Sequence, residues 1–312
     1  MSLTHVMSRW PLWAQAEHGE FTGVDNIAIR YSILRHPDAD AAVVISNGRI
    51  ESYLKYWPLI EALYAQGVSV YLWDHRGQGL SQRMLANPHI GHVEQFEHYV
   101  EDMAQFYREH IAPDGHTRHW LLGHSMGGAI AALYLSRYPE HFERAAFSAP
   151  MFGICLPLPR PLLQPVVELC DRLRPQRYIL GGHNYDPVPF ECNKLTSDRT
   201  EYQQFRQLYR DCPAIQLGDP SNRWLKQALA ACDRIRPERI QTPILVMQAG
   251  ADSVVCNQAQ TAFVQPPHRL HRFEHAKHEL FIESAEIRSQ VLTLLQQWFE
   301  LPQQSAAARA AQ

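Results

Sequence analysis

The chain carries no CxxC pair, no run of apolar residues near the ~18 to 20 needed to span a bilayer, and no excess of positive charge. It also has neither a GxGxxG following a strand nor a GxxxxGK[ST] loop. Each absence removes a class of protein. The six cysteines, at positions 155, 170, 192, 212, 232 and 256, fit no zinc spacing. The N-terminal stretch MSLTHVMSRWPLW lacks the basic start and apolar run of a signal peptide, so the thiols are expected to be reduced and the protein cytoplasmic. Lys and Arg number 29 against 32 Asp and Glu, a net charge of −3 with histidine neutral, which is not the footprint of a nucleic-acid binder. Nucleotide cofactors are not indicated, and no internal repeat is visible.

What is present describes a globular chain. Of its 312 residues, 46% are hydrophobic and 20% charged, which excludes wholesale disorder. The length allows two domains, or one large domain with an insertion. Ala41–Ser46, Val68–Asp74, Trp120–Gly123 and Ala145–Ser148 read as short buried strands. Tyr53–Gln66, Gln95–His110 and Gly127–Tyr138 read as the helices between them. This alternation predicts an α/β fold with a mostly parallel sheet flanked by helices. The rhythm breaks at Pro150 and returns with strands at Pro243–Ala249 and His268–Phe273 and a closing helix at Ser284–Phe299. The reading is therefore a discontinuous core of residues 1–150 and 238–302, an inserted helical cap at 151–237, and a flexible tail at 303–312.

Gly123-His124-Ser125-Met126-Gly127-Gly128 contains G-x-S-x-G between a strand and a helix. Such a turn is tight. Gly123 and Gly127 spare it clashes, and Ser125 is lifted clear at a helix N-terminus, where developing negative charge is favoured. A serine hydroxyl needs a base, and the base needs an orienting acid, in the chain order Ser, Asp, His. Asp252 follows the strand ending at Ala249, and His278 follows the strand ending at Phe273. The competing readings are a simple turn aspartate at 252, and His271 or His275 as the base. His278 is preferred because it sits deeper in its loop. His271, His275 and His278 share no helical face, so no metal site is expected. Two backbone N–H donors are needed for an oxyanion. They are expected from Met126 and from Arg49, with Gly48 giving the turn its freedom. His89-Ile90-Gly91-His92 spells the class I aminoacyl-tRNA synthetase signature, but no KMSKS-like partner accompanies it.

GHSMGG at 123–128 and DHRGQGLS at 74–81, with Asp252 and His278, resemble the monoglyceride-lipase-like branch of the α/β-hydrolases. GRIESY at 48–53, PHIGHV at 88–93 and APMFG at 149–153 are similar to the bacterial inner-membrane-associated lysophospholipases of that branch. The broader lipase pattern has His-Gly-x-Gly at the oxyanion loop, where this chain has Asn47-Gly48-Arg49-Ile50. The resemblance implies an α/β-hydrolase fold, a serine carboxylic-ester hydrolase without a cofactor, and release of a fatty acid from a lysophospholipid through an acyl-serine intermediate. It also implies peripheral contact with the cytoplasmic face of the inner membrane. Monoacylglycerols and small esters are alternative substrates. An aminopeptidase is another reading, since Glu168, Asp171, Asp186, Glu191 and Asp198 offer carboxylates for a substrate amine. A ligand receptor with a slow triad is a third.

The first part of the insert, Met151–Leu173, carries Met151, Phe152, Ile154, Leu156, Leu158, Leu162, Leu163, Val166, Val167 and Leu169. These residues line an acyl pocket, touch a membrane, or form the insert's own core. Arg49, Arg160, Arg172, Arg174 and Arg177 meet a phosphate head group or form a solvated basic face.

Overall fold

The structure is a computed structural model in which residues 7–301 are described; the tail expected at 303–312 lies outside them. One eight-stranded sheet organises the chain: β1 (Glu17–Thr22), β2 (Ala28–Leu34), β3 (Ala41–Ser46), β4 (Ser69–Trp73), β5 (Arg118–His124), β6 (Arg144–Ser148), β7 (Ile244–Ala249) and β8 (Arg269–Phe273). The spatial order is β1-β2-β4-β3-β5-β6-β7-β8, parallel from β4 through β8. The first two strands run antiparallel, β1 on β2 and β2 on β4. This opening hairpin is not among the strands expected from the sequence. β1 is the mostly exposed edge strand, and the pattern EHGEFT, which has few apolar residues, leaves little signal for a strand.

The interior strands read as continuous apolar runs because helices cover both faces of the sheet. Every residue of β3, β4 and β7 is buried. Helices α1 (Trp57–Tyr64), α2 (Glu97–Phe106) and α3 (Met126–Leu135) follow β3, β4 and β5 in turn. The segment expected as one helix over 53–66 opens with a 3-10 turn at Tyr53–Tyr56, because Pro58 belongs in a first α-turn, and closes at Gly67 with φ +79°. Helix α3 is buried on every side, in keeping with its sequence MGGAIAALYL.

Between β6 and β7 run α4 (Arg160–Leu173), α5 (Arg199–Asp211) and α6 (Asn222–Arg234). Asp198 and Ser221 cap α5 and α6 by accepting from Glu201 N and Trp224 N. This segment lies against the loops at the C-terminal ends of the strands. Tyr209 Oη donates to the Ile50 carbonyl, and Arg49 donates to the Gly218 carbonyl at 2.9 and 3.1 Å. Leu195 accepts from Glu279 N at 2.8 Å. The His89–His92 stretch belongs to the same seam: Gly91 pairs with Pro220, and His92 Nδ1 lies 2.8 Å from Ser221 Oγ. The chain then passes through α7 (Asn257–Phe263) and ends in α8 (Ala285–Trp298).

Candidate active site

Strand β5 ends at His124, and the chain turns at once into α3. Ser125 stands in that turn at φ 50° and ψ −117°, a backbone strain of about 1–3 kcal/mol for a residue with a side chain. The flanking glycines have no room for a Cβ. One at Gly127 would sit 2.0 Å from the Ser46 carbonyl oxygen, and one at Gly123 would sit 2.8 Å from Gly128 Cα. Sheet and helix therefore approach closely enough to hold the strained serine.

The three residues expected to act together meet. His278 Nε2 lies 2.9 Å from Ser125 Oγ, and His278 Nδ1 lies 2.7 Å from Asp252 Oδ2. A carboxylate only accepts, so Nδ1 carries the imidazole proton and the lone pair of Nε2 faces the serine hydroxyl. The other oxygen of Asp252 accepts from Val254 N at 2.7 Å and Val255 N at 3.1 Å, which fixes the carboxylate plane. Ser125 is 7% exposed and His278 4%. His271 and His275 are exposed on and beyond β8, so burial as well as distance distinguishes His278 from its rivals.

The loop after β3 supplies the second wall. The Gly48 amide is engaged, donating to the Glu51 carboxylate. Among the described residues the amides of Arg49 and Met126 have no acceptor. The DHRGQG stretch holds this loop in place. Asp74, fully buried, accepts from Ser52 Oγ at 2.8 Å, Tyr53 N at 2.6 Å, Leu80 N at 2.6 Å and Asn47 Nδ2 at 3.3 Å. Gln78 Nε2 donates to the Gly48 carbonyl at 2.7 Å. Burial pushes the Asp74 carboxyl up to about 7, against the pull of those donors. Gly79, at φ 56°, has no space for a side chain beside Asp74 Oδ2.

Behind the triad lies a charged cluster that was not expected from the sequence. Glu51, Lys55, His124 and Glu279 are all buried, and Lys55 Nζ bridges the carboxylates of Glu51 and Glu279. Ligand atoms of Glu51, His124 and Glu279 lie within 4.8 Å of one another, but the lysine ammonium already supplies the cation between the two carboxylates. The one sequence hint was the i, i+4 spacing of Glu51 and Lys55.

Several expected contacts are absent or used otherwise. Arg160 pairs with Asp233, and Arg49 lies over the Trp224 ring at 5.2 Å while bonding to Gly218. Of the carboxylates considered for an amine, Glu168 and Asp171 pair with Lys226, Asp171 also with Arg223, Glu191 with Arg199, and Asp198 caps α5. Asp186 is exposed.

The family model described as serine aminopeptidase, S33 (Hydrolase_4), matches residues 37–285. The chain is 38% identical to lysophospholipase L2 of Escherichia coli (strain K12) over 258 residues, covering 81% of this chain and 76% of that one. It is 34% identical to a probable lysophospholipase L2 of Haemophilus influenzae, covering 90% and 91%. A solved structure of a soluble variant of monoglyceride lipase from Saccharomyces cerevisiae, in complex with a substrate analog, superposes with a TM-score of 0.72 at 17% identity, covering 91% of this chain and 96% of that one.

Proposed function

The chain belongs to the Hydrolase_4 family of α/β-hydrolases and is a serine ester hydrolase; from that premise we propose that it is a lysophospholipase, with Ser125 as nucleophile, His278 as base and Asp252 as the acid that orients the base. The observation that carries the reading is the continuous hydrogen-bonded line from Ser125 Oγ through His278 to Asp252. His278 takes the serine proton as Oγ attacks the acyl carbonyl, a transfer typically worth ~10²–10⁴ in rate. Asp252 steadies the imidazolium that forms. The Arg49 and Met126 amides are the donors for the tetrahedral oxyanion. His278 returns the proton to the departing glycerophosphate alcohol, and water releases the fatty acid from the acyl-serine by the same steps in reverse.

Residues 151–237 act in this reading as a cap over a core made of 1–150 and 238–302. Engagement of Glu168, Asp171 and Glu191 in ion pairs and of Asp198 in a helix cap weighs against their holding a substrate amine.

The protein is read as peripheral on the bilayer that holds its substrate. No helix among the described residues is long and apolar enough to cross a membrane. Helix α4 instead turns Leu162, Val166, Leu169 and Leu173 outward at i, i+4, i+7 and i+11, with Leu162 and Leu173 about two-thirds exposed. Arg172, Arg174 and Arg177 beside them have no ion-pair partner among the described residues, which suits an anionic lipid surface. A hydrolysis panel of lysophospholipids, monoacylglycerols, short p-nitrophenyl esters and aminoacyl amides tests the reading. Lysophospholipid is expected to give the highest kcat/KM, and faster cleavage of the amides would overturn it.

A further inference from the structure

The four-residue cluster behind the triad joins parts of the site that are far apart in sequence. Glu51 and Lys55 come from the loop and turn after β3, His124 from the last position of β5, and Glu279 from the loop after β8, next to His278. Their exposures are 3%, 8%, 1% and 4%. Charges so deeply buried persist only when paired.

The pairing is complete. Lys55 Nζ donates to Glu51 and to Glu279. His124 Nε2 lies 3.1 Å from the Glu279 carboxylate, and His124 Nδ1 lies 3.1 Å from the Ser148 carbonyl oxygen. The Ser148 hydroxyl also lies 3.3 Å from Nδ1, but the nearer carbonyl oxygen and the Glu279 carboxylate only accept, and with Glu279 and Glu51 both beside the ring the arrangement favours His124 as an imidazolium. Two carboxylates then face one ammonium and one imidazolium, and the cluster is neutral. Tyr56 Oη closes it by donating to Glu51 at 2.6 Å, and Lys55 Nζ packs 5.7 Å from the Phe205 ring of the inserted segment.

Both catalytic walls touch this cluster. Glu51 accepts the Gly48 amide, and a Cβ at Gly48 would stand 2.8 Å from Glu51 Oε2 and 2.9 Å from His124 Cδ2. The oxyanion loop is therefore seated directly on it. On the other side the His124 ring lies 5.0 Å from the His278 ring, and Glu279 is the next residue in the chain.

We propose that Lys55 is a positioning residue, clamping the oxyanion loop to the loop of the base through Glu51 and Glu279, so that the amide donors and His278 are set relative to one another. The proposal rests on the reading of Ser125 and His278 as nucleophile and base. Lys55 touches no reacting atom. It acts through the Gly48–Glu51 bond on one side and through the Glu279 backbone on the other. Displacement of such donors by about 1 Å is enough to cost on the order of 10²-fold in rate.

The test uses the full chain and a soluble p-nitrophenyl acyl ester, with kcat, KM and unfolding temperature measured for each variant. Lys55→Met leaves two facing carboxylates against one imidazolium. It is expected to lower the unfolding temperature and to cut kcat by about 10- to 100-fold with KM changed less than about threefold. The double variant Lys55→Met/Glu51→Gln restores neutrality. It keeps an acceptor oxygen for the Gly48 amide, and the His124–Glu279 pair balances what is left. Its unfolding temperature is expected to recover while kcat stays low, because no ammonium then bridges the side chains at 51 and 279. Recovery of kcat to within about threefold of wild type in that double variant overturns the clamp, since charge balance alone would then suffice. Ser125→Ala, run beside them, separates the two claims. Turnover that survives Ser125→Ala overturns the functional reading and the clamp with it, whereas Ser125-dependent turnover with a fully active double variant overturns the clamp alone.

Discussion

Asp252→Asn changes one atom of the site, and the surrounding backbone dictates its consequence. Oδ1 of Asp252 accepts from the amides of Val254 and Val255, at 2.7 and 3.1 Å. In the variant the amide oxygen must take that place, because an NH₂ group there would point hydrogen at hydrogen. The side-chain NH₂ is then turned toward His278 Nδ1, where the carboxylate oxygen lay at 2.7 Å. Two donors cannot face each other, so the imidazole moves its proton to Nε2. With a hydrogen on Nε2, the ring can no longer accept from Ser125 Oγ, 2.9 Å away. A triad forced into the wrong tautomer loses ~10⁴ in kcat, about 5.5 kcal/mol of transition-state stabilisation. The assay is steady-state hydrolysis of a p-nitrophenyl ester, with circular dichroism and thermal unfolding as checks on the fold. A folded Asp252→Asn protein retaining more than about a tenth of wild-type kcat would refute the tautomer reasoning.

The buried cluster gives a pH signature. Burial alone pulls the His124 pKa down, but the carboxylates of Glu279 and Glu51 outweigh it, so the net shift is above the ordinary 6.5. Its stabilisation is thus complete below pH 6.5 and is lost as pH rises through the folded value. For Glu279, burial pushes upward, but Lys55 and His124 hold it well below 4.5, so its stabilisation is present above pH 4.5 and lost as pH falls. The urea midpoints of wild type and His124→Gln should therefore differ most between those two values and converge toward alkaline pH; a pH-independent gap would contradict the imidazolium. Replacing Leu162, Leu169 and Leu173 by serine should cut cosedimentation with anionic vesicles by at least about tenfold, while hydrolysis of a soluble ester is unchanged. Equal vesicle binding by the triple variant would remove α4 as the docking element. Arg76 is buried and forms two 2.6 Å bonds to buried Asp102, so Arg76→Met should cost about 3–5 kcal/mol in urea unfolding. Adding Asp102→Asn should recover part of that loss, and further destabilisation by the double variant would speak against an uncompensated charge as the cause.

How much was legible in the sequence follows from the range of the interactions. The strand–turn–helix around Ser125 was readable because its glycines answer a local demand. Gly127 faces the Ser46 carbonyl, and Gly123 faces the backbone of Gly128. Asp252 was readable because it stands just beyond the buried apolar strand ILVMQA, and His278 because it follows in the loop after the next strand, RLHRF, in the order that the serine requires. The β1–β2 hairpin was missed because β1, the edge strand, is charged and mostly exposed, so nothing local marked it as the partner of the apolar AIRYSIL run of β2. The Lys55–Glu279 pair was missed because 224 residues separate its members, and nothing local to either requires the other. The arginines considered for a head group divided in the same way. Arg160 found Asp233 and Arg49 found Gly218, both through long-range packing, whereas Arg172, Arg174 and Arg177 stayed on the surface.

In the proposed mechanism Ser125 carries the acyl group of a lysophospholipid. Rapid quenching of the purified protein during turnover of a lysophospholipid, followed by peptide mass mapping, tests it directly. An acyl adduct on the peptide containing Ser125, absent from Ser125→Ala and appearing together with released fatty acid, is the predicted result. Fatty-acid release by Ser125→Ala at the wild-type rate, or an adduct on any other residue, would contradict it.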